Sequence, residues 1–120
     1  MEALCRVREI VRAISDFESR FQEVHGISLN EGMLLCSLSR SAPCTSGQLA
    51  AAMGLSASNT SKVLAAAEKK QLIQRSLGCE DKRCMLFSLS EQGKTVLDTI
   101  RCNERVIGQV LESIGQLVTL

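Results

Sequence analysis

Three features of the sequence predict a mainly α fold (α+β), a winged helix-turn-helix with further helices at its N- and C-terminal flanks. Apolar residues recur at steps of three and four near both ends of the chain, which is the spacing of one helix face. Two short helical patterns meet at "GLS", residues 54–56. Two short strand-like runs then flank the charged stretch "GCEDKR". The length, 120 residues, suits one domain (1–120) with one core. Hydrophobic residues make up 45% of the chain, which excludes disorder as its overall state. The only aromatics are Phe17, Phe21 and Phe87, so the core is built from Leu, Ile, Val, Ala and Met, a composition that favours helices over a β-sandwich.

Residues 2 to about 24 read as an amphipathic helix whose apolar stripe is Leu4, Val7, Val11, Ile14, Phe17, Phe21 and Val24, with Gly26 ending it. A second helix spans about Asn30 to Ser39, with Ser28 or Asn30 as cap and Met33, Leu34, Leu35 and Leu38 as buried face. "RSAPCT" is a loop around the only proline, Pro43. Thr45 or Ser46 then caps a short helix that turns Leu49, Ala50 and Met53 inward and stops at Gly54. Ser56 caps the next helix, about 56–70, with Val63, Leu64 and Ala67 as core contacts. "LIQRSL" and "CMLFSL" suit the strands of a hairpin with a charged tip. From Ser90, a plausible cap by residue type, a long apolar stripe runs to the end of the sequence, locally weakened by Gly108 and Gly115.

A helix-turn-helix followed directly by a charged hairpin is a winged helix. Its second helix enters a DNA major groove and its hairpin, the wing at 78–84, reaches the adjacent backbone or minor groove. The helix start offers Ser58, Asn59, Ser61 and Lys62, small or basic and none of them carboxylic, so free N–H groups and a positive dipole face phosphate. Asn suits adenine, and Lys suits guanine or phosphate. With Ser46 and Ser56 at the two helix starts, these form the candidate DNA-binding set. Taken singly each is simply a good helix-start residue; as a set ahead of a wing they point to DNA. At the wing tip, Lys82 and Arg83 are the phosphate or minor-groove candidates. Asp81, two residues before Arg83, has a reason to stand beside DNA if it holds that guanidinium in a fixed pose. The plain alternative is an exposed turn with a weak ion pair.

Charge alone does not decide for DNA. The net charge is +1, and the six basic residues between Lys62 and Arg83, against three acidic ones, read equally as a solvated face. The N-terminal segment "MEALCRVREIVRAI" mixes charges into its apolar residues and does not read as a signal peptide, and no segment approaches the ~20 apolar residues of a membrane span. A cytoplasmic protein is expected, without membrane association. The six cysteines, Cys5, Cys36, Cys44, Cys79, Cys84 and Cys102, contain no CxxC pair, and with His25 as the only histidine no metal site or cofactor is expected. No nucleophile–base arrangement is visible either, so no enzyme is expected.

The stretch "LSASNTSKVLAAAEKKQLIQRSLGCEDKRCMLFSLSEQGK" resembles the core of the MarR family of bacterial transcription regulators. The matching elements are the "LS" helix start, "EKKQLIQR" at the end of the recognition helix, the Asp-x-Arg of the wing "EDKR", and "LSEQG" opening the next helix; "ISLNEGMLLCSL" resembles the family's second helix. The family usually has Gly where Gln71 stands, a larger apolar residue at Ala67 and an aliphatic one at Thr60. The resemblance implies an obligate homodimer on double-stranded, pseudo-palindromic DNA. Residues 1–26 and 90–120 would be dimerisation helices and 28–89 the DNA-binding lobe, with the recognition helices in successive major grooves about 34 Å apart. It also implies a repressor responsive to a small-molecule effector, apolar or phenolic, and places Asp81 and Arg83 as the DNA-binding pair of the wing.

Two other classes compete. A winged helix can bind protein instead of DNA, which the low net charge allows. Cys79 and Cys84 flank "EDKR" and, if they lie opposite each other in a regular hairpin, would be roughly 4.5–5.5 Å apart at Cα, within disulfide range. Lys82 and Arg83 beside them favour thiolate, so a redox sensor is conceivable, against the plainer reading of two incidental cysteines.

Overall fold

The protein is described from a computed structural model covering residues 2–78 and 84–118. Among these residues the elements run α1 (Glu2–His25), α2 (Leu29–Ser41), α3 (Ser46–Met53), α4 (Ala57–Lys69), β1 (Ile73–Leu77), β2 (Met85–Leu89), α5 (Glu91–Cys102) and α6 (Glu104–Val118). This is the mainly α winged-helix order that the periodicities predict. The chain divides into two compact units: one from the N-terminus through Ser28 together with the stretch from Thr99 onward, the other Leu29–Asp98.

In the Leu29–Asp98 unit, α2 packs against α3, α4 and β2. Leu34, Leu35 and Leu38 are at most 1% exposed and supply its buried face, and Leu49 of α3, Leu64 and Ala67 of α4 and Phe87 of β2 complete the core. Met33 does not join them, at 46% exposed. On the helical wheel Leu34 and Leu38 share one line and Leu35 flanks it, so Met33 falls off the far edge. Glu31 joins this buried face although its residue type does not suggest it. It is buried in the first turn of α2 and paired at 2.9 Å with Lys70 Nζ at the end of α4. A carboxylate so deep stands only with a partner.

β1 and β2 pair antiparallel in register Ile73↔Leu89 through Leu77↔Met85. Cys44 forms an isolated bridge to the outer edge of β2, exchanging both backbone hydrogen bonds with Phe87 (3.0 and 2.8 Å). The hairpin is thereby tied to the residue that precedes the N-cap of α3.

The junction from α4 to β1 turns on Gln71, at φ +62°. That is the left-handed region, where a glycine is at ease and a residue with Cβ is strained. The turn is held from α5. Ser90 Oγ donates to the Gln71 carbonyl at 2.7 Å while accepting from Gly93 N–H at 3.0 Å, and Ser90 N–H donates to the Leu72 carbonyl at 3.1 Å. Ser90 is thus the expected cap of α5 and a clamp on the preceding turn. A Cβ at Gly93 would overlap the Leu72 carbonyl oxygen.

In the other unit α1 packs along α6. Gly26, at φ +72°, ends α1 just beyond the expected boundary. The long C-terminal helical pattern is two helices. It breaks at Asn103, where Asn103 N–H donates to Ile100 and Val106 N–H to Asn103, both at 3.0 Å, tightening the chain into a three-residue turn. Asn competes for backbone hydrogen bonds and is a weak helix former, which periodicity alone does not register.

Gln71→Gly is expected to stabilise the protein by about 0.5–1 kcal/mol, relief of left-handed strain outweighing the added chain entropy. Gly93→Ala should cost about 2–3 kcal/mol through the clash with Leu72. Urea unfolding of the two variants measures both, and a destabilised Gln71→Gly contradicts the strain.

Candidate nucleic-acid interface

The surface is built by two capped helices. Thr45, extended at φ −80° and ψ 163°, is the N-cap of α3. Its Oγ1 accepts from Gln48 N–H at 3.1 Å and Gln48 Oε1 accepts from Thr45 N–H at 2.9 Å, a complete capping box. Of the two expected caps the structure thus selects Thr45, and Ser46 becomes the first helical residue with its side chain exposed. Gly54, at φ +67°, ends α3, and Leu55 N–H closes the turn on the Ala50 carbonyl at 3.0 Å. Only Leu55 then separates it from Ser56, whose Oγ accepts from Asn59 N–H at 3.1 Å as the N-cap of α4. The "GLS" link is therefore one C-cap and one N-cap separated by a single residue, which sets the two helices at a defined angle.

The faces of α4 separate cleanly. Thr60, Leu64 and Ala67 are buried, while Ser58, Asn59, Ser61 and Lys62 are exposed. Thr60 is 1% exposed and satisfies its hydroxyl by donating to the Ser56 carbonyl at 2.8 Å. Val63 is only half-buried. The oxygen of Ser56 is committed to the cap, but its hydroxyl proton still has a direction to donate. No carboxylate stands in the first turn of α4.

The described basic residues from Lys62 to Arg75 sort into two kinds. Lys70 is paired with Glu31. Arg75 of β1 is held by both oxygens of Glu68 of α4, Nε to Oε2 at 2.8 Å and Nη2 to Oε1, and this pairing keeps the guanidinium pKa above its already high ordinary value. Among the described residues that leaves Lys62 and Lys69 exposed on α4 to meet an anion. Neither ion pair was read from the sequence. The i to i+7 spacing of Glu68 and Arg75 carries no signal until the turn at Gln71 folds β1 back along α4.

Cys79, Asp81, Lys82 and Arg83 lie outside the described residues. Cys84 is described and half-buried. Its carbonyl accepts from Gly78 N–H at 2.8 Å, and the expected partner, Cys79, lies outside the described residues.

A second concavity belongs to the helix-pair unit. It is a cleft of about 350 Å³ between α1 and α6, lined by Phe17, Phe21, Val106 and Val110 together with Asp16, Arg20 and His25. The Phe21 and His25 rings lie 4.7 Å apart at their centroids, and His25 Nδ1 is buried with no hydrogen-bond partner among the described residues. The described residues contain no cluster of His, Cys, Asp and Glu that would hold a metal ion, and no helix long and apolar enough to cross a membrane.

Comparison with known proteins bears on the same lobe. The sequence model of the MarR family matches residues 27–85. Among solved structures, a probable transcriptional regulator from Pseudomonas aeruginosa is 26% identical, with a TM-score of 0.75 over 85% of this chain and 79% of that one. The S. aureus MepR–DNA complex is 22% identical, with a TM-score of 0.79 over 89% of this chain and 80% of that one. The transcriptional regulator BldR from Sulfolobus solfataricus is also 22% identical, with a TM-score of 0.75 over 93% of this chain and 79% of that one. No curated protein matches the sequence.

Cys44 is 5% exposed, its thiol donates to the Ser41 carbonyl at 3.1 Å, and burial pushes the thiol pKa up. Cys5 and Cys102 are exposed. Because thiolate is the reactive form, a maleimide at neutral pH should label Cys44 only on unfolding. Peptide mapping after timed labelling reads this directly, and rapid native labelling of Cys44 would contradict its placement.

Proposed function

Because residues 27–85 make this chain a member of the MarR family, we propose that it is a homodimeric, sequence-specific transcription regulator of double-stranded DNA, acting as a repressor that a small ligand relieves. The observation that carries the DNA reading is the exposed start of α4. Ser58, Asn59, Ser61 and Lys62 stand on its solvent face over a fully packed inner face. A helix so presented enters the major groove with its first turns against the base edges. In this reading Ser46 and Ser56 donate to phosphate from the helix starts, Asn59 and Lys62 meet bases or phosphate, and Lys82 and Arg83 extend the footprint from the wing with Asp81 orienting Arg83. MepR, whose fold the chain shares, has been seen with DNA.

The dimer reading rests on apolar side chains that one chain leaves in water. Leu4, Val7 and Val11 of α1 are 54–64% exposed, and Leu111 and Val118 of α6 are 65% and 63% exposed. Burying such stripes against a second copy follows from the hydrophobic effect alone. We accordingly assign residues 1–26 and 90–120 to the dimer and 28–89 to DNA. The cleft between α1 and α6 lies within the usual size range of small-ligand sites, and its apolar and aromatic lining with Arg20 and His25 beside it suits a phenolic effector.

A protein-binding role is the second reading, favoured by one observation: two of the four described basic residues from Lys62 to Arg75 are neutralised by ion pairs.

Fluorescence anisotropy on genomic fragments selected by the protein, across a salt series, separates the two readings. DNA binding through several phosphates should weaken steeply with salt. Arg83→Ala should weaken it across all sequences and lower the log–log salt slope by about 1, whereas Asn59→Ala should relax base preference at a cost of about 1–3 kcal/mol. Salt-independent binding, or none, would move the assignment to a protein partner. For the dimer, Leu111→Asp should shift the mass in analytical ultracentrifugation from two chains to one; a wild type that sediments as a single chain overturns that part.

A further inference from the structure

We propose that Glu68 and Arg75 are positioning residues for DNA binding: they fix the wing against the recognition helix α4 so that both reach the duplex in register. The inference rests on the DNA-binding reading above. Arg75 sits on β1, the strand that leads into the wing, and Glu68 lies in the last turn of α4. The guanidinium fork meets both carboxylate oxygens, a planar match that fixes direction as well as distance.

The same guanidinium lies over the Phe87 ring of β2, 5.6 Å from its centroid. That contact follows from the ladder. Both backbone groups of Phe87 are spent on Cys44, so Arg75↔Phe87 is a pair without mutual hydrogen bonds, the kind whose side chains stand closest. Phe87 is itself 5% exposed in the core. One side chain thus ties α4, β1 and β2 together at the root of the wing.

The pair is too exposed to serve stability. The Arg75 side chain is 52% exposed and the Glu68 side chain 27%. An ion pair in that setting contributes little to folding, but it restricts the angle at which the strands leave the helix. It also consumes a cation that would otherwise be free to bind phosphate. Arg75 therefore acts through the wing and not as a DNA contact of its own, which a charge-preserving substitution can reveal. Lysine keeps the charge but cannot reproduce the two-point fork or the same stacking.

The test uses the full chain and a fluorescein-labelled duplex that the wild type has selected from genomic DNA. Glu68→Gln and Arg75→Lys should each weaken binding by about tenfold, while the midpoint of thermal unfolding moves by less than about 4 °C. In a Lys82→Ala/Arg83→Ala background neither should weaken binding further, because a wing without contacts has nothing to misplace. The inference is overturned if Arg75→Lys binds like the wild type, if Glu68→Gln tightens binding by removing a negative charge near DNA, or if the losses add fully to those of the wing variant. If the wild type selects no DNA at all, the DNA reading itself falls and takes this inference with it.

Discussion

The Leu29–Asp98 unit depends on the burial of three leucines on one helix. Leu34, Leu35 and Leu38 have almost no exposed surface, and α3, α4 and β2 all pack against the helix that carries them. Each such side chain removed from water contributes roughly 1.5–3 kcal/mol, so this face outweighs any polar contact in the lobe. Its consequence for function is geometric. With α2 as a fixed post, α4 can bury only the side with Thr60, Leu64 and Ala67, and the opposite side, with Ser58, Asn59, Ser61 and Lys62, is left to meet a partner.

Polar contacts then settle orientation. The Lys70–Glu31 pair holds the last turn of α4 to the first turn of α2. A buried carboxylate is a poor source of stability, since desolvation offsets most of the attraction. It is nevertheless intolerant of a lost partner, which penalises any other docking of α4. Ser90 works similarly at the next junction, with one hydroxyl capping α5 and also restraining the strained turn at Gln71. The recognition helix is thus capped by Ser56 at its start and held at its end by groups from α2 and α5.

The helix-pair unit shows the opposite balance. Phe21 is the only fully buried residue of α1, and α6 has none, although both carry regular apolar stripes. Strong patterning with little burial means that one chain supplies half of a core. The proposed dimer gives that imbalance a physical reason, because amphipathic helices gain most of their stability from what covers them.

Much of this was legible in the sequence because it depends on local chemistry. Helix period, the caps at Thr45, Ser56 and Ser90, the stops at Gly26 and Gly54, and the two short strand-like runs all act within a few residues, so the winged-helix order and the polar face of α4 are read directly. Gln71 stands out in the sequence by its residue type, but the left-handed backbone it adopts does not. What only the tertiary structure decided involves residues that approach through folding: the burial of Glu31 against Lys70, the fork of Arg75 on Glu68, the bridge from Cys44 to Phe87, the loss of Met33 from the core and the break at Asn103. A helical pattern says which residues share a face. It does not say which face finds a partner or how far around the helix the contact extends, because that is set by the shapes of neighbours many residues away.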